Sequence, residues 1–336
     1  MTVASRGGTA ELQRFRHLLN ATIVATFVLI VIGGVVRVSD SGLGCGPAGS
    51  GTHGWPLCEG GLLPAASAES VLEYTHRIAA AVVGVLMAVI AWRVWRDFRA
   101  SPVIFWGGIG GFVLVVIQAV LGGITVEENL HEYLVAAHLG LAMLLIGLLI
   151  VLRAQAVPAA EERPARGTSG LRGLAIVAAL LILFTIVAGG LVAGTEGHGR
   201  VDQPAFGAHM ACGDQFPTCL GRFMPFGEHR LVDIQLTHRA FMYLAALAVL
   251  ALLVVSLRQR VAVRASALLA ALVAAQILLG AANVWFDKHA GLIVGHLTLG
   301  TLVWATSVYV TTLLLPVHAP ASTASAQRDT PGTVPA

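Results

Sequence analysis

Eight separate stretches of this chain stay apolar for about 18 residues or more, and this constrains the fold more than any other feature. They run Leu18–Val36, Tyr74–Val94, Val103–Thr125, Leu134–Leu152, Leu171–Val192, Ile234–Leu257, Ala265–Val284 and Gly291–Leu315. A hydrocarbon core roughly 30 Å thick takes about 20 residues of helix to cross. A helix also satisfies its own backbone polar groups, as anything exposed to lipid must. The expected fold class is therefore all-α, integral to a membrane, with eight transmembrane helices. Charged residues make up 12% of the 336, about half the share of a soluble domain. The net charge of +3 is spread over short loops and is no mark of nucleic-acid binding. Residues 1–17 are polar and lead straight into a full-length span, unlike a cleaved signal peptide.

Orientation follows the arginines. Arg6, Arg14 and Arg16 precede the first span, and Arg93, Arg96 and Arg99 follow the second. Arg153, Arg163, Arg166 and Arg172 follow the fourth, and Arg258, Arg260 and Arg264 the sixth. All fall on one side, which the positive-inside rule makes cytoplasmic, together with both termini. The segment from Pro316 onward, rich in Ala, Pro, Ser and Thr, reads as a disordered tail. On the outer side two long loops, Arg37–Glu73 and Ala193–Asp233, each hold a cysteine pair, Cys45/Cys58 and Cys212/Cys219. Facing an oxidising compartment, these read as two disulfides. The other reading is a thiol pair that shuttles electrons or binds metal, although the spacing matches no zinc pattern.

The chain repeats itself. Gly33-Gly34-Val35-Val36 returns as Gly189-Gly190-Leu191-Val192, and Thr75-His76-Arg77 as Thr237-His238-Arg239. Gln118 with Leu121-Gly122 returns as Gln276 with Leu279-Gly280; His131 and His138 return as His289 and His296, offset by 158. Each repeat has four spans, so the halves share one orientation and should be related by a pseudo-twofold axis along the membrane normal. The expected organisation is an N-terminal segment 1–17, a first four-helix half 18–154, a linker 155–170, a second half 171–315 and the tail 316–336.

His76, His138, His238 and His296 lie near the outer ends of the even-numbered spans, at similar depth. Two facing imidazoles are a natural axial pair for haem iron. Gly122, Gly123, Gly140, Gly280 and Gly300 would let helices and a flat macrocycle approach closely. The plainer role, interhelical hydrogen bonding, explains one such histidine better than four in duplicated positions. Arg77 and Arg239 would meet haem propionates or snorkel to lipid phosphates. His131 and His289, two turns further out, suit helix capping better than propionate contact.

Glu73 breaks the repeat, for Gln235 stands in its place. Glu73 and His76 are three apart and share a helix face, so the first half has an acid suited to proton chemistry and the second has none. A dipole-favoured residue at a helix N-terminus is the plainer account of Glu73. Glu132, near His138, is a second, weaker acid candidate.

Gly33-Gly34-Val35-Val36-Arg37, Ser41-Gly42-Leu43-Gly44-Cys45, Trp55-Pro56-Leu57-Cys58 and Glu73-Tyr74-Thr75-His76-Arg77 resemble the haem A synthase family of respiratory membranes. The resemblance extends from residue 18 to about 315. It implies oxidation of a ring methyl of haem O, in successive hydroxylations with loss of water, to the formyl group of haem A for cytochrome oxidase. It further implies that His76 and His138 flank the substrate haem, that His238 and His296 ligate a haem b cofactor, and that Glu73 is the essential acid. Cys45 and Cys58 match the family's outer-loop cysteine pair, although residues 46–54 make this loop longer than the usual compact form. The implied partners are haem O, the farnesyltransferase that produces it, membrane lipid and an electron donor; a homo-oligomer is left open. The implied location is a bacterial cytoplasmic membrane. The rival is a di-haem b cytochrome that carries electrons from a quinol without modifying haem.

Overall fold

Each apolar run becomes one helix, and each helix begins before its run does. The computed structural model describes residues 3–158, 161–196, 207–286 and 289–317. Its helices are α1 Val3–Val38, α2 Ala68–Asp97, α3 Pro102–Glu127, α4 Glu132–Gln155, α5 Ser169–Gly194, α6 Arg230–Gln259, α7 Val263–Trp285 and α8 Ala290–Leu314. All eight are long and apolar enough to cross a membrane, and the chain is a multi-pass membrane protein. The added turns are polar, and local capping starts several of them. Ser67 Oγ accepts the Ser70 N–H ahead of α2, Thr168 Oγ1 accepts the Leu171 N–H ahead of α5, and Pro102 opens α3, each meeting the needs of a helix N-terminus.

The largest extension is at α1, where residues expected only as a polar N-terminal segment are helical. Leu12, Phe15 and Leu19 recur at helical spacing and are buried. The Phe15 ring lies 4.7 Å from that of Phe98, beyond the end of α2.

The helices pack in two rings. In the first, α1 to α4 follow one another and α1 also meets α4; in the second, α5 to α8 follow one another and α5 meets α8. The rings meet where α4 packs on α5, α8 on α1, and α4 on α8. Exchanging the halves turns the first contact into the second and leaves the third unchanged, which is compatible with a twofold axis between α4 and α8. Trp304 Nε1 on α8 donates to the Met143 carbonyl on α4 at 2.6 Å across this seam. Arg37, at the end of α1, donates to the carbonyls of Ala193 and Glu196 at 2.7 and 3.0 Å.

The linker does more than connect. Arg163 donates to the carbonyls of Leu313 and Thr312 at the end of α8, and its backbone pairs with Val317. Of the expected tail, residues 318–336 lie outside the described residues.

In the first half the apolar packing lies towards the arginine-rich ends of the helices. There Val83, Met87, Ile90 and Val94 of α2 meet Leu145, Leu149 and Leu152 of α4. Lipid tails are as apolar as leucine, so close packing rather than the hydrophobic effect holds these helices together. The opposite ends, outer in the expected orientation, carry the histidines.

Candidate functional site

His76, His138, His238 and His296 stand on α2, α4, α6 and α8, and each is seated in the same way. A glycine on the preceding helix faces the Cε1 edge of the ring: Gly33 for His76, Gly122 for His138, Gly189 for His238 and Gly280 for His296. A Cβ at these glycines would lie 3.0, 3.3, 3.0 and 3.0 Å from Cε1, at or below the tight end of van der Waals contact. Only glycine leaves these slots open.

The rings pair within each half. His76 and His138 lie within electrostatic reach of one another, as do His238 and His296. His238 Nδ1 is 2.9 Å from the carbonyl oxygen of Thr185, one turn before Gly189 on α5. A carbonyl can only accept, so the proton is on Nδ1 and the Nε2 lone pair is free for a metal, the usual second-shell arrangement of a ligating histidine. Leu29 presents its carbonyl to His76 from the matching place on α1, without a formed hydrogen bond. The Nδ1 atoms of His76, His138 and His296 are buried and have no hydrogen-bond partner among the described residues. Paired imidazoles seated in glycine slots, three of the four with Nδ1 unpartnered among the described residues, fit a haem held between two helices in each half.

Gln118 and Gln276 add a further duplicated contact. Gln118 Nε2 donates to the main-chain carbonyl of His138 at 2.9 Å, and Gln276 Nε2 to that of His296 at 2.9 Å.

Two disulfide-closed loops lie over the pairs. Cys45 is joined to Cys58 and Cys212 to Cys219, and no cysteine is free. Arg77 donates to the carbonyls of Gly54 and Leu57, both at 2.8 Å. Arg239 does the same to Thr218 and Gln215, at 2.9 and 3.0 Å. The arginine after each α2 or α6 histidine thus grips the residue just before the second cysteine of its loop. These loop contacts were not foreseen, because more than 15 residues separate the partners and no local spacing announces them.

Glu73 is buried in the second turn of α2, not at its start. One carboxylate oxygen accepts the Cys45 N–H at 2.8 Å, and the other pairs with Arg77. Glu73 and Arg77 therefore touch both ends of the first disulfide loop. In the second half Gln235 is equally buried, and its Oε1 has no hydrogen-bond partner among the described residues. Glu132 pairs with Arg230 of α6, tying the two halves together. His289 caps α8, its Nδ1 accepting the Gly291 N–H at 3.2 Å. His131 precedes α4 without a side-chain capping bond and stacks on Tyr133 at 5.4 Å between ring centroids.

His209, in the second loop, escaped the sequence reading because it has no counterpart in the repeat. It lies within electrostatic reach of His238 and His296, with Nδ1 3.6 Å from Glu196 Oε1. Among the described residues no three His, Cys, Asp or Glu side chains cluster around a point where a bare metal ion would sit.

Residues 16–308 match a family model described as cytochrome oxidase assembly protein. Across 304 residues the chain is 26% identical to "Heme A synthase" of Shouchella clausii, covering 87% of this chain and 94% of that one. It is 24% identical over 304 residues to "Heme A synthase" of Alkalihalophilus pseudofirmus, with 87% and 95% covered. A shorter match, 31% over 146 residues, is to "Heme A synthase" of Exiguobacterium sibiricum, with 42% and 46% covered.

Proposed function

Because the chain belongs to the family of cytochrome oxidase assembly proteins, we propose that it is an oxidoreductase that converts haem O to haem A, changing one ring methyl to a formyl group. The relatives named for that synthesis support this reading over nearly their whole length. In it the protein lies in a bacterial cytoplasmic membrane with both termini inside, and works alongside the farnesyltransferase that supplies haem O.

His76 and His138 would hold the substrate haem and set which part of its ring edge meets Glu73. Both oxygens of Glu73 are held by donors, which suits a fixed negative charge beside positive charge developing at the oxidised methyl. His238 and His296 would hold a haem b, which would supply one-electron transfer. Thr185 fixes the His238 tautomer for that task. The observation that carries the proposal is the asymmetry within a duplicated frame: both halves have the histidine pair, glycine slots and loop-gripping arginine, but only the first has the acid.

Mass analysis of haems bound to purified protein, wild type beside His76→Ala and His238→Ala, tests this. Wild type is expected to contain haem B with haem O or A. His238→Ala is expected to lose haem B, and His76→Ala to lose haem O and A. Haem B alone in wild type supplied with haem O would overturn the proposal in favour of a di-haem electron carrier.

A further inference from the structure

In the second half the two histidines are held differently. His238 is fixed through its ring, by the Nδ1 bond to Thr185. His296 has no such bond, and neither has His138; both rings leave Nδ1 without a partner among the described residues. Each is gripped instead at its main chain, by Gln276 and Gln118 from the preceding helix. On α7, Gly280 lies four residues after Gln276; on α3, Gly122 lies four after Gln118. Four residues is about one helical turn on the same face. One turn of α7 therefore holds the His296 carbonyl and the next receives the edge of its ring. The α3 helix repeats this for His138.

From this we infer that Gln118 and Gln276 are positioning residues: by holding the carbonyls of His138 and His296 they set the rotation of α4 and α8 that directs each imidazole into its glycine slot and toward the iron. The inference rests on the haem-binding reading of the four histidines.

General packing explains these glutamines poorly. The Oε1 of each is buried and without a hydrogen-bond partner among the described residues. A buried unsatisfied carbonyl is penalised more heavily than one interhelical hydrogen bond in a membrane gains. An apolar side chain of the same size would pack there without that penalty, yet the chain keeps glutamine in both copies. What apolar packing cannot supply is a directional hold on one carbonyl. The carbonyl chosen in both cases belongs to the histidine itself.

The test uses full-length protein in lipid nanodiscs, with Gln276→Met and Gln118→Met, the latter supplied with haem O. The readouts are the low-spin ferric EPR signal of each haem and the rate of haem transfer to apomyoglobin. Gln276→Met is expected to shift the EPR signal of the C-terminal haem and speed its loss about three-fold, the worth of a typical interhelical bond, with the N-terminal signal unchanged. Gln118→Met is expected to do the reverse. Should Gln276→Met fail to accumulate, Gln276→Leu, which likewise removes the donor to the His296 carbonyl, reads the same two signals. Unchanged signals and release rates in haem-loaded variants would overturn the inference while leaving the proposed function intact. Wild-type protein that takes up no haem would overturn both.

Discussion

Changing Glu73 to Gln is expected to lower the yield of haem A by about 100-fold or more while leaving the haem at His238 and His296 in place. The size is that typical of losing one preorganised electrostatic group beside a reacting centre. The carboxylate accepts from the Cys45 N–H and from Arg77, and an amide can accept from both only through one oxygen. One donor is left facing the amide NH₂, and the negative charge is lost. The ratio of haem A to haem O in extracted pigment, read by chromatography, gives the result. A ratio equal to wild type would remove Glu73 from the chemistry. The chain already contains a control for misfolding. Gln235 occupies the matching place in the second half, where the loop, its disulfide and the grip of Arg239 all form. A glutamine in this position is thus compatible with the architecture, and a lost product would not mean a lost fold.

The second large effect is expected from Gly189→Ala. The added Cβ would lie 3.0 Å from Cε1 of His238 and 3.2 Å from Nδ1. The ring must retreat by a few tenths of an ångström, and the 2.9 Å bond to Thr185 is stretched at the same time. Disturbing such a second-shell partner typically lowers metal affinity about 10–100-fold. The C-terminal haem content should fall accordingly, measured as haem B per protein after purification at limiting haem. Gly33→Ala should act in the same way on the substrate haem at His76, where the clearance is also 3.0 Å. Full haem content in both variants would show that the slots have slack which the ring geometry does not suggest.

The eight spans were legible because a run of about 20 apolar residues has few other uses. Their ends were not. A helix leaving the membrane keeps its hydrogen bonds while its side chains turn polar, so Glu73 looked like a residue at a helix mouth and proved to lie in a second turn. The histidine pairs could be read because the chain states them twice. Duplication also marked Gln118, Gln276, Gly33 and Gly189 without revealing what they touch, since each acts on a helix distant in sequence. Arg77 was read as a partner for propionate or lipid phosphate. The carbonyls of Gly54 and Leu57 that it holds are set by the path of a loop that no periodicity describes.

The arrangement of the two rings separates the members of each histidine pair mechanically. The α4 and α8 helices, bearing His138 and His296, are each locked into the seam, joined by the Trp304–Met143 bond. The α2 and α6 helices, bearing His76 and His238, pack chiefly on their own ring's neighbours and the outer loops. A large flat ligand passing between a pair must spread it, and spreading is least costly where a helix can yield without parting the halves. By that criterion α2, with its main contacts inside its own ring, is the helix placed to yield, whereas α6 is tied to α4 through Arg230 and Glu132.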